Sequence, residues 1–270
     1  MKPKSPASGV LKLSLYANAV DFAEDALSNA IAADQMPIRW KFAILSMVQS
    51  IELSLKELLR MQHPALIYTN IDASGANDKE SQTVTLAAAR KRLERWAGIK
   101  LTEDENKALK TASDFRNQIV HFQVKQDVRV LKAAFSHLLG FLNDFHRSHF
   151  DVPLQEAISS RLWTSGVKIQ DYGKELFRRA RLQIETDQAL VGAEIFDCPH
   201  CGWQALPAVG EGQCCLVCNA FEGFITCERC TRIVIYADHA GYDERHCLPC
   251  YEYLSDYGDY LDHVARDDRN

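Results

Sequence analysis

The sequence predicts a mainly α-helical protein that ends in a small, cysteine-rich lobe with short β-hairpins. Three observations lead to this fold class. The first 150 residues carry apolar side chains at helical spacing and show no strand-like alternation. All nine cysteines lie between Cys198 and Cys250. From Ala193 onward, glycine, proline and short apolar runs replace the helical pattern, as is typical of small hairpins.

The first 150 residues contain five segments with helical periodicity. Pro37 opens the second segment, because proline is tolerated in a first turn, and His63-Pro64 ends it. Thr102 and Glu105 have the spacing of a capping box, which marks a helix start. Helices of this length with short connections favour a helical bundle. The predicted helices cover residues 10–33, 37–61, 84–96, 102–121 and 127–147.

Changes in composition divide the chain into four predicted regions. Residues 1–9 are polar and rich in proline and serine, which predicts a disordered N-terminus. The helical bundle follows at 10–150, and a second helical stretch at 151–192 is interpreted as a connector that packs partly on the bundle. Residues 193–270, called the C-terminal lobe below, contain the cysteines and end in a predicted acidic helix.

Eight of the nine cysteines form four C-x-x-C pairs. A two-residue gap lets both sulfurs of one turn point at the same ion, so two pairs supply the four thiolates of a tetrahedral Zn²⁺ site. Four pairs therefore predict two zinc sites in a double zinc-ribbon-like module. Interleaved pairing stays open beside the sequential pairing that we favour. Sequential pairing assigns Cys198, Cys201, Cys215 and Cys218 to site 1, and Cys227, Cys230, Cys247 and Cys250 to site 2.

The two zinc ions are predicted to be structural. A Cys₄ site is closed and leaves no position for a reacting water, so no catalytic metal is expected. Metal binding would replace the hydrophobic core that such a small lobe lacks. Cys214 has no partner at two-residue spacing and is interpreted as a spare thiol. His200, His239 and His246 are alternative ligands, although each site already has four sulfurs.

Cysteine spacing and the lack of a secretion signal predict a cytoplasmic protein. No segment has the roughly 20 uninterrupted apolar residues of a membrane span, so no membrane partner is expected. Cysteines in metal-ligand spacing fit a reducing compartment better than a disulfide framework. The net charge is −5, yet residues 83–132 carry eleven Lys and Arg against six Asp and Glu. Such a locally basic surface can bind phosphate within an acidic protein, although charge alone favours solvated helix faces.

The helix predicted at 102–121 carries the side chains with the clearest chemical potential. At 100° per residue, Asp114, Asn117 and His121 share one face. Arg116 lies about 140° from His121 on an ideal helix, so one helix alone does not bring the two together. The other histidines of the bundle's end, His137, His146 and His149, are predicted to decorate its last helix.

The Arg116-Asn117…His121 segment resembles the HEPN superfamily, whose helical-bundle domains carry an R-x₄₋₆-H motif, commonly with Asn, Asp or His after the arginine. Residues 51–59 look like the second long helix of such domains, and residues 135–145 look like their closing helix. The resemblance covers about residues 10–150 and implies a HEPN-like bundle. It does not extend to the C-terminal lobe.

The resemblance implies a metal-independent endoribonuclease that cleaves single-stranded RNA by attack of the RNA's own 2′-OH. His121 would act as base or acid, Arg116 would bind phosphate oxygens, and Asn117 would orient the imidazole or bind phosphate, with Asp114 as an auxiliary polar group. The resemblance also implies a homodimer in which two motifs share one cleft. A role as a toxin or defence effector, with an antitoxin or regulatory protein as partner, is the corresponding biological expectation.

The alternative interpretation is a catalytically inactive HEPN adaptor. In that case the bundle dimerises, and the C-terminal lobe binds a protein or a nucleic acid through its aromatic side chains. This hypothesis predicts that Trp203, Phe221, Phe224 and Tyr236 are exposed.

Overall fold

The structure is a computed structural model that describes residues 11–71, 82–121, 125–236 and 245–256. The predicted disordered segment at 1–9 and the end of the predicted acidic helix lie outside the described residues. Residues 248–256 are helical. Within the described ranges, no helix is both long and apolar enough to cross a membrane.

The predicted fold class is confirmed, since the structure is mainly helical with two small sheets near its C-terminal end. The first helix begins later than residue 10, because the Ser14 side chain accepts a hydrogen bond from the Ala17 N–H at 3.0 Å and caps it. The five bundle helices are α1 (Leu15–Ala32), α2 (Arg39–Gln62), α3 (Leu86–Ala97), α4 (Glu103–His121) and α5 (Val128–His149).

Local capping groups set the boundaries of the bundle helices. The predicted capping box is present: the Thr102 N–H donates to Glu105 Oε2 at 2.7 Å, and the Glu105 N–H donates to Thr102 Oγ1 at 3.2 Å. Gly98 ends α3 with a φ of 67°, a left-handed conformation that glycine adopts without strain. Asp127 caps α5 by accepting from the Arg129 N–H at 2.7 Å. These contacts explain why the helices start and stop where the sequence pattern indicates.

Helix α2 is the centre of the bundle and packs against α1, α3, α4 and α5. Its residues 50–59 are buried on every side, including the three charged side chains of Glu52, Lys56 and Glu57. Glu57 Oε2 accepts from Arg60 Nε at 2.7 Å. Lys56 Nζ lies 2.6 Å from Glu52 Oε1 and donates to Thr83 Oγ1 at 2.9 Å. The buried charges are therefore paired, as burial in a low-dielectric interior requires.

The stretch between the bundle and the C-terminal lobe is folded and packed. It forms α6 (Leu154–Ala157) and the long helix α7 (Ser160–Thr186), which lies on α5 and α1. Gly166 and Gly173 allow a close approach: a Cβ on Gly166 would lie 2.8 Å from Leu27 Cδ2, and one on Gly173 would meet Ser136. Helix α7 is thus a structural layer that supports both the bundle and the lobe.

The predicted short β-hairpins are present in the C-terminal lobe. Strands β1 (Ile195–Asp197) and β2 (Gln204–Pro207) form one antiparallel pair. Strands β3 (Gly212–Cys214), β4 (Phe221–Thr226) and β5 (Ile233–Ile235) form a three-stranded antiparallel sheet with β4 in the middle.

The C-terminal lobe has two halves, one containing site 1 and the other containing site 2, and they pack against different parts of the protein. Cys198, Cys201 and Leu206 belong to the same hydrophobic core as the bundle. Lys107 on α4 forms an ion pair with Asp197 on β1 at 3.0 Å. The second half has its own small cluster, formed by Cys227, Cys247 and Cys250 with Cys230 and Val234 packed against them. The first half is therefore part of the main body, whereas the second half depends mainly on its own cysteines.

Candidate functional sites

The first cysteine cluster brings together Cys198, Cys201, Cys215 and Cys218, whose sulfurs all lie within 4.8 Å of one another. The Sγ atoms of Cys198 and Cys218 are 3.7 Å apart, and those of Cys201 and Cys215 are 3.8 Å apart. Gly202, with a φ of 80°, follows the second cysteine and donates its N–H to the Cys198 carbonyl at 2.8 Å. This turn aims both sulfurs of the pair at one point.

The second cluster has the same arrangement with Cys227, Cys230, Cys247 and Cys250. Cys230 Sγ and Cys247 Sγ are 3.8 Å apart. Here Thr231 takes the left-handed position after the second cysteine, with a φ of 57°, and donates its N–H to the Cys227 carbonyl at 2.8 Å. The backbone turn after the second cysteine is therefore the same in both clusters, although Thr231 takes the position that Gly202 has in the first.

Both clusters fit a tetrahedral zinc ion. A Zn–S bond of about 2.3 Å in tetrahedral geometry places neighbouring sulfurs about 3.8 Å apart, which matches the observed separations. Burial, followed by hydrogen bonding among the four thiols, raises the pKa of Cys201 well above its usual value. Four thiolates at this spacing need a cation to offset their charge. The prediction of two structural zinc sites in a zinc-ribbon-like module is thus confirmed, and the cysteines are grouped sequentially.

The described alternative ligands, His200, His246 and Cys214, belong to neither cluster. His200 Nε2 is 3.1 Å from Glu222 Oε2, so its imidazole is engaged with a carboxylate. Cys214 ends β3 and belongs to neither group of four thiols. His239 lies outside the described residues. Among the described residues, each cluster consists of sulfur alone, which leaves no open coordination position for catalysis.

Helix α4 exposes the polar side chains that the sequence predicts as catalytic. Asp114, Arg116, Asn117 and His121 are all exposed, while Phe115 and Ile119 on the same helix point into the core. His121 is the last residue of α4. The amphipathic pattern of this helix thus directs its polar side chains to solvent.

The exposed polar side chains of α4 divide between two sides of the helix. Arg116 and Val120 line a groove of about 260 Å³ against α1 and α2. Asp114 instead lines a cavity of about 520 Å³ between α3 and α4. No hydrogen bond or ion pair within the described residues joins Arg116, Asn117 and His121 to one another. One protomer therefore does not assemble these groups into a compact site, in keeping with the helical geometry.

Of the histidines predicted on the surface of the last bundle helix, His146 is buried and His137 is half-buried. His146 is fully buried on α5, and its Nε2 lies 3.0 Å from Ser54 Oγ on α2. His137 has a buried Nδ1 atom without a hydrogen-bond partner in the described structure. Burial lowers the pKa of both imidazoles to about 4. The side chains at these two positions of α5 point toward the interior. Periodicity alone did not reveal this, because histidine also occurs on surfaces.

Two of the four lobe aromatics predicted to be exposed are packed inside. Trp203 lies between His137 and Phe177, with ring centroids 5.1 and 4.8 Å away, and Phe224 is buried. Their predicted exposure is therefore wrong, because the lobe uses these rings to hold its own structure together. Phe221 and Tyr236 do lie on the surface.

Sequence reasoning missed one group of polar residues at the junction of α4, α5, α7 and the lobe. Gln170 on α7 is 94% buried, since only 6% of its surface is exposed, and it lines a cavity of about 420 Å³ together with His137. No motif signals this cavity, because its residues come from four separate segments.

Comparison with known proteins gives no relatives: no protein-family model matches the chain, and neither a curated protein nor a solved structure is significantly similar to it.

Proposed function

We propose that this protein is a metal-independent endoribonuclease of the HEPN type that cleaves single-stranded RNA as a homodimer. One observation carries the proposal. Arg116, Asn117 and His121 are all exposed on α4, and within the described residues none of them forms an ion pair or a side-chain hydrogen bond. An arginine with a structural role would be expected to pair with a carboxylate of a neighbouring helix, so these groups are available to an external ligand.

The proposed reaction needs only proton transfer and charge stabilisation. The imidazole of His121 accepts the proton of the RNA 2′-OH, and the 2′-oxygen attacks the adjacent phosphorus. The P–O5′ bond breaks, and the 5′-oxygen leaves with a proton supplied by the second imidazole of the dimer. Arg116 binds the phosphate oxygens as negative charge builds on them. The products are a 2′,3′-cyclic phosphate and a free 5′-OH.

A second protomer is part of the proposal because Arg116 and His121 diverge on α4. Arg116 faces the groove against α1 and α2, which also contains the exposed apolar side chain of Val120. A partner copy that covers this apolar surface around a two-fold axis would bring the His121 of one chain toward the Arg116 of the other. An antitoxin or another regulatory protein would then act by covering the same surface.

The test uses the full-length, zinc-loaded protein and a fluorescent single-stranded RNA. Wild type should release products with a 2′,3′-cyclic phosphate in the presence of EDTA over short times, and 2′-O-methyl RNA should resist. His121→Ala and Arg116→Ala should each lower the rate by about 10²–10⁴-fold. Arg129→Ala, which removes an exposed arginine of α5 outside the motif, is the matched control and should retain activity. Wild type that cleaves no RNA, or motif variants as active as wild type, would refute the proposal.

The second candidate is a non-enzymatic adaptor, and the exposed rings on the lobe favour it. Phe221 is 65% exposed on β4, and Tyr236 is exposed just after β5. Aromatic side chains at this exposure are typical of binding surfaces. If the protein binds RNA without cleaving it, Phe221→Ser and Tyr236→Ser should weaken binding in fluorescence anisotropy while the zinc content stays unchanged.

A further inference from the structure

A cavity lies where the bundle, α7 and the C-terminal lobe meet, and we call it the seam cavity. Its volume is about 420 Å³, within the range of small-molecule sites. Helix α5 contributes His137 and Phe141, helix α7 contributes Gln170, and the lobe contributes Trp203. A second cavity of about 170 Å³ shares His137 and Trp203 with it. The open space therefore continues along the boundary between the bundle and the lobe.

The interior of the seam cavity contains a polar group that the protein itself does not satisfy. Gln170 is 94% buried, yet within the described residues its side-chain amide has no hydrogen-bond partner. The backbone carbonyl of Gln170, by contrast, accepts a hydrogen bond from Ser136 Oγ at 3.2 Å. The amide lies beside Gly140, since a Cβ there would be 3.3 Å from Gln170 Nε2. The amide atoms are reached from the cavity, so water satisfies them in the free protein and a bound molecule with a matching polar group can replace that water.

Aromatic rings form the walls of the seam cavity. Trp203 is fixed by its Nε1 hydrogen bond to the Ala133 carbonyl at 3.0 Å and by stacking on His137 and Phe177. Phe141 supplies an opposite apolar surface. Because hydrogen bonding and packing hold the indole in place, the cavity has a rigid apolar wall on the side of the lobe, against which methylene groups can pack.

The charges around the seam cavity have a net negative sign. Asp104, Glu105 and Asp144 contribute three carboxylates, whereas Lys174 is the single lysine that lines it. Glu105 is partly engaged in the capping box and Asp144 with Arg147, but Asp104 is highly exposed and makes only a long contact of 3.9 Å with Lys107. A phosphate or carboxylate ligand would be repelled here, and a positively charged ligand would be attracted.

We propose that the seam cavity binds a small aliphatic ammonium compound, of the size of a diamine or triamine. Its ammonium group would donate to the side-chain carbonyl oxygen of Gln170, while the carboxylate of Asp104 attracts a second ammonium group at the entrance. The methylene chain would pack on Phe141. This site is separate from the Arg116 and His121 segment and does not depend on ribonuclease activity.

The test is isothermal titration calorimetry of the full-length, zinc-loaded protein with spermidine as the probe. Wild type should show saturable binding that weakens as salt is added. Gln170→Leu, which keeps the volume and removes the amide, should weaken binding about tenfold or more. Asp104→Asn should weaken it about two- to fivefold, as expected for an exposed charge. Glu103→Gln is the matched control, because Glu103 neighbours Asp104 on α4 but does not line the seam cavity, and it should bind as wild type does.

Three outcomes would overturn the proposal. The first is the absence of saturable spermidine binding to wild type at up to about 1 mM. The second is equal binding by wild type, Gln170→Leu and Asp104→Asn, which would place the amine on the acidic surface. The third is binding of adenosine, an uncharged planar compound, in place of spermidine. Zinc content and melting temperature verify that each variant is folded, and Asp104→Asn keeps the test decisive if Gln170→Leu does not fold.

Discussion

Trp203 Nε1, on the C-terminal lobe, donates a hydrogen bond to the carbonyl oxygen of Ala133 in the second turn of α5, at 3.0 Å. A helix carbonyl at this position also accepts from its own helix, so the indole uses the second lone pair of the oxygen. The ring is packed between His137 and Phe177. One side chain thus joins the lobe, the last bundle helix and α7.

This contact predicts that Trp203 stabilises the whole protein and not only the lobe. Trp203→Phe removes the hydrogen bond but keeps an aromatic ring, and we expect a loss of about 1 kcal/mol in the free energy of unfolding. Trp203→Ala also removes the packing and should cost about 3 kcal/mol or more. Denaturant unfolding followed by circular dichroism of the helices measures both. Helical unfolding unchanged in both variants would contradict the prediction.

The two zinc sites should differ in what they stabilise. Cys201 belongs to the core of the bundle, whereas Cys230 is partly exposed and packs only in the small second cluster. Cys201→Ser should lower the melting temperature of the helical signal, because the metal and the core packing are lost together. Cys230→Ser should lower the zinc content from about two ions per chain to about one while the helical melting temperature stays close to that of wild type.

Elemental analysis and thermal unfolding of the same samples test this difference. Cys214→Ser serves as the control, since Cys214 belongs to neither cluster, and it should retain both zinc ions. Equal losses of helical stability in Cys201→Ser and Cys230→Ser would show that the two halves of the lobe are equally coupled to the bundle.

His146 predicts a dependence of stability on pH. The Ser54 hydroxyl donates to the Ser50 carbonyl at 2.9 Å, so His146 Nε2–H donates to Ser54 Oγ, and the imidazole is held neutral. Burial lowers the pKa of His146 from 6.5 to about 4 in the folded state. Between these two values the unfolded chain binds more protons, so stability is complete above pH 6.5 and falls as the pH drops toward 4. The loss from this group alone amounts to about 2 kcal/mol at pH 5.

A comparison with His146→Gln isolates this contribution from acid release of zinc, which affects both proteins alike. Glutamine can donate to Ser54 but does not titrate, so its variant should lack the histidine part of the pH dependence. The stability advantage of wild type over the variant should therefore shrink by about 2 kcal/mol between pH 7 and pH 5. A constant difference across this range would mean that the folded-state pKa of His146 is not lowered.

The buried ion pair of α2 gives a further prediction. Lys56→Met leaves the Glu52 carboxylate buried beside an apolar chain, and we expect a loss of about 3–5 kcal/mol in unfolding free energy. The double variant Glu52→Gln with Lys56→Met removes both charges and should recover much of that loss. Urea unfolding of the two variants and wild type measures the recovery. A double variant less stable than Lys56→Met would contradict this interpretation.

Features that depend on neighbours along the chain could be predicted from the sequence. The capping box of Thr102 and Glu105 and the end of α3 at Gly98 follow from residues a few positions apart. The two zinc clusters follow from C-x-x-C spacing, because the two ligands of each pair are fixed by one turn. The divergence of Arg116 from His121 follows from the 100° step of a helix.

Only the tertiary structure decided which polar and aromatic side chains are buried. Trp203 and Ala133 are 70 positions apart, and Ser54 and His146 are 92 positions apart. Such contacts depend on how helices and strands pack, and the local pattern of apolar residues does not specify that packing. The partial burial of His137 and Trp203 and the position of Gln170 in the cavity between α5, α7 and the lobe were determined in this way, because each is set by elements that meet only in the folded chain.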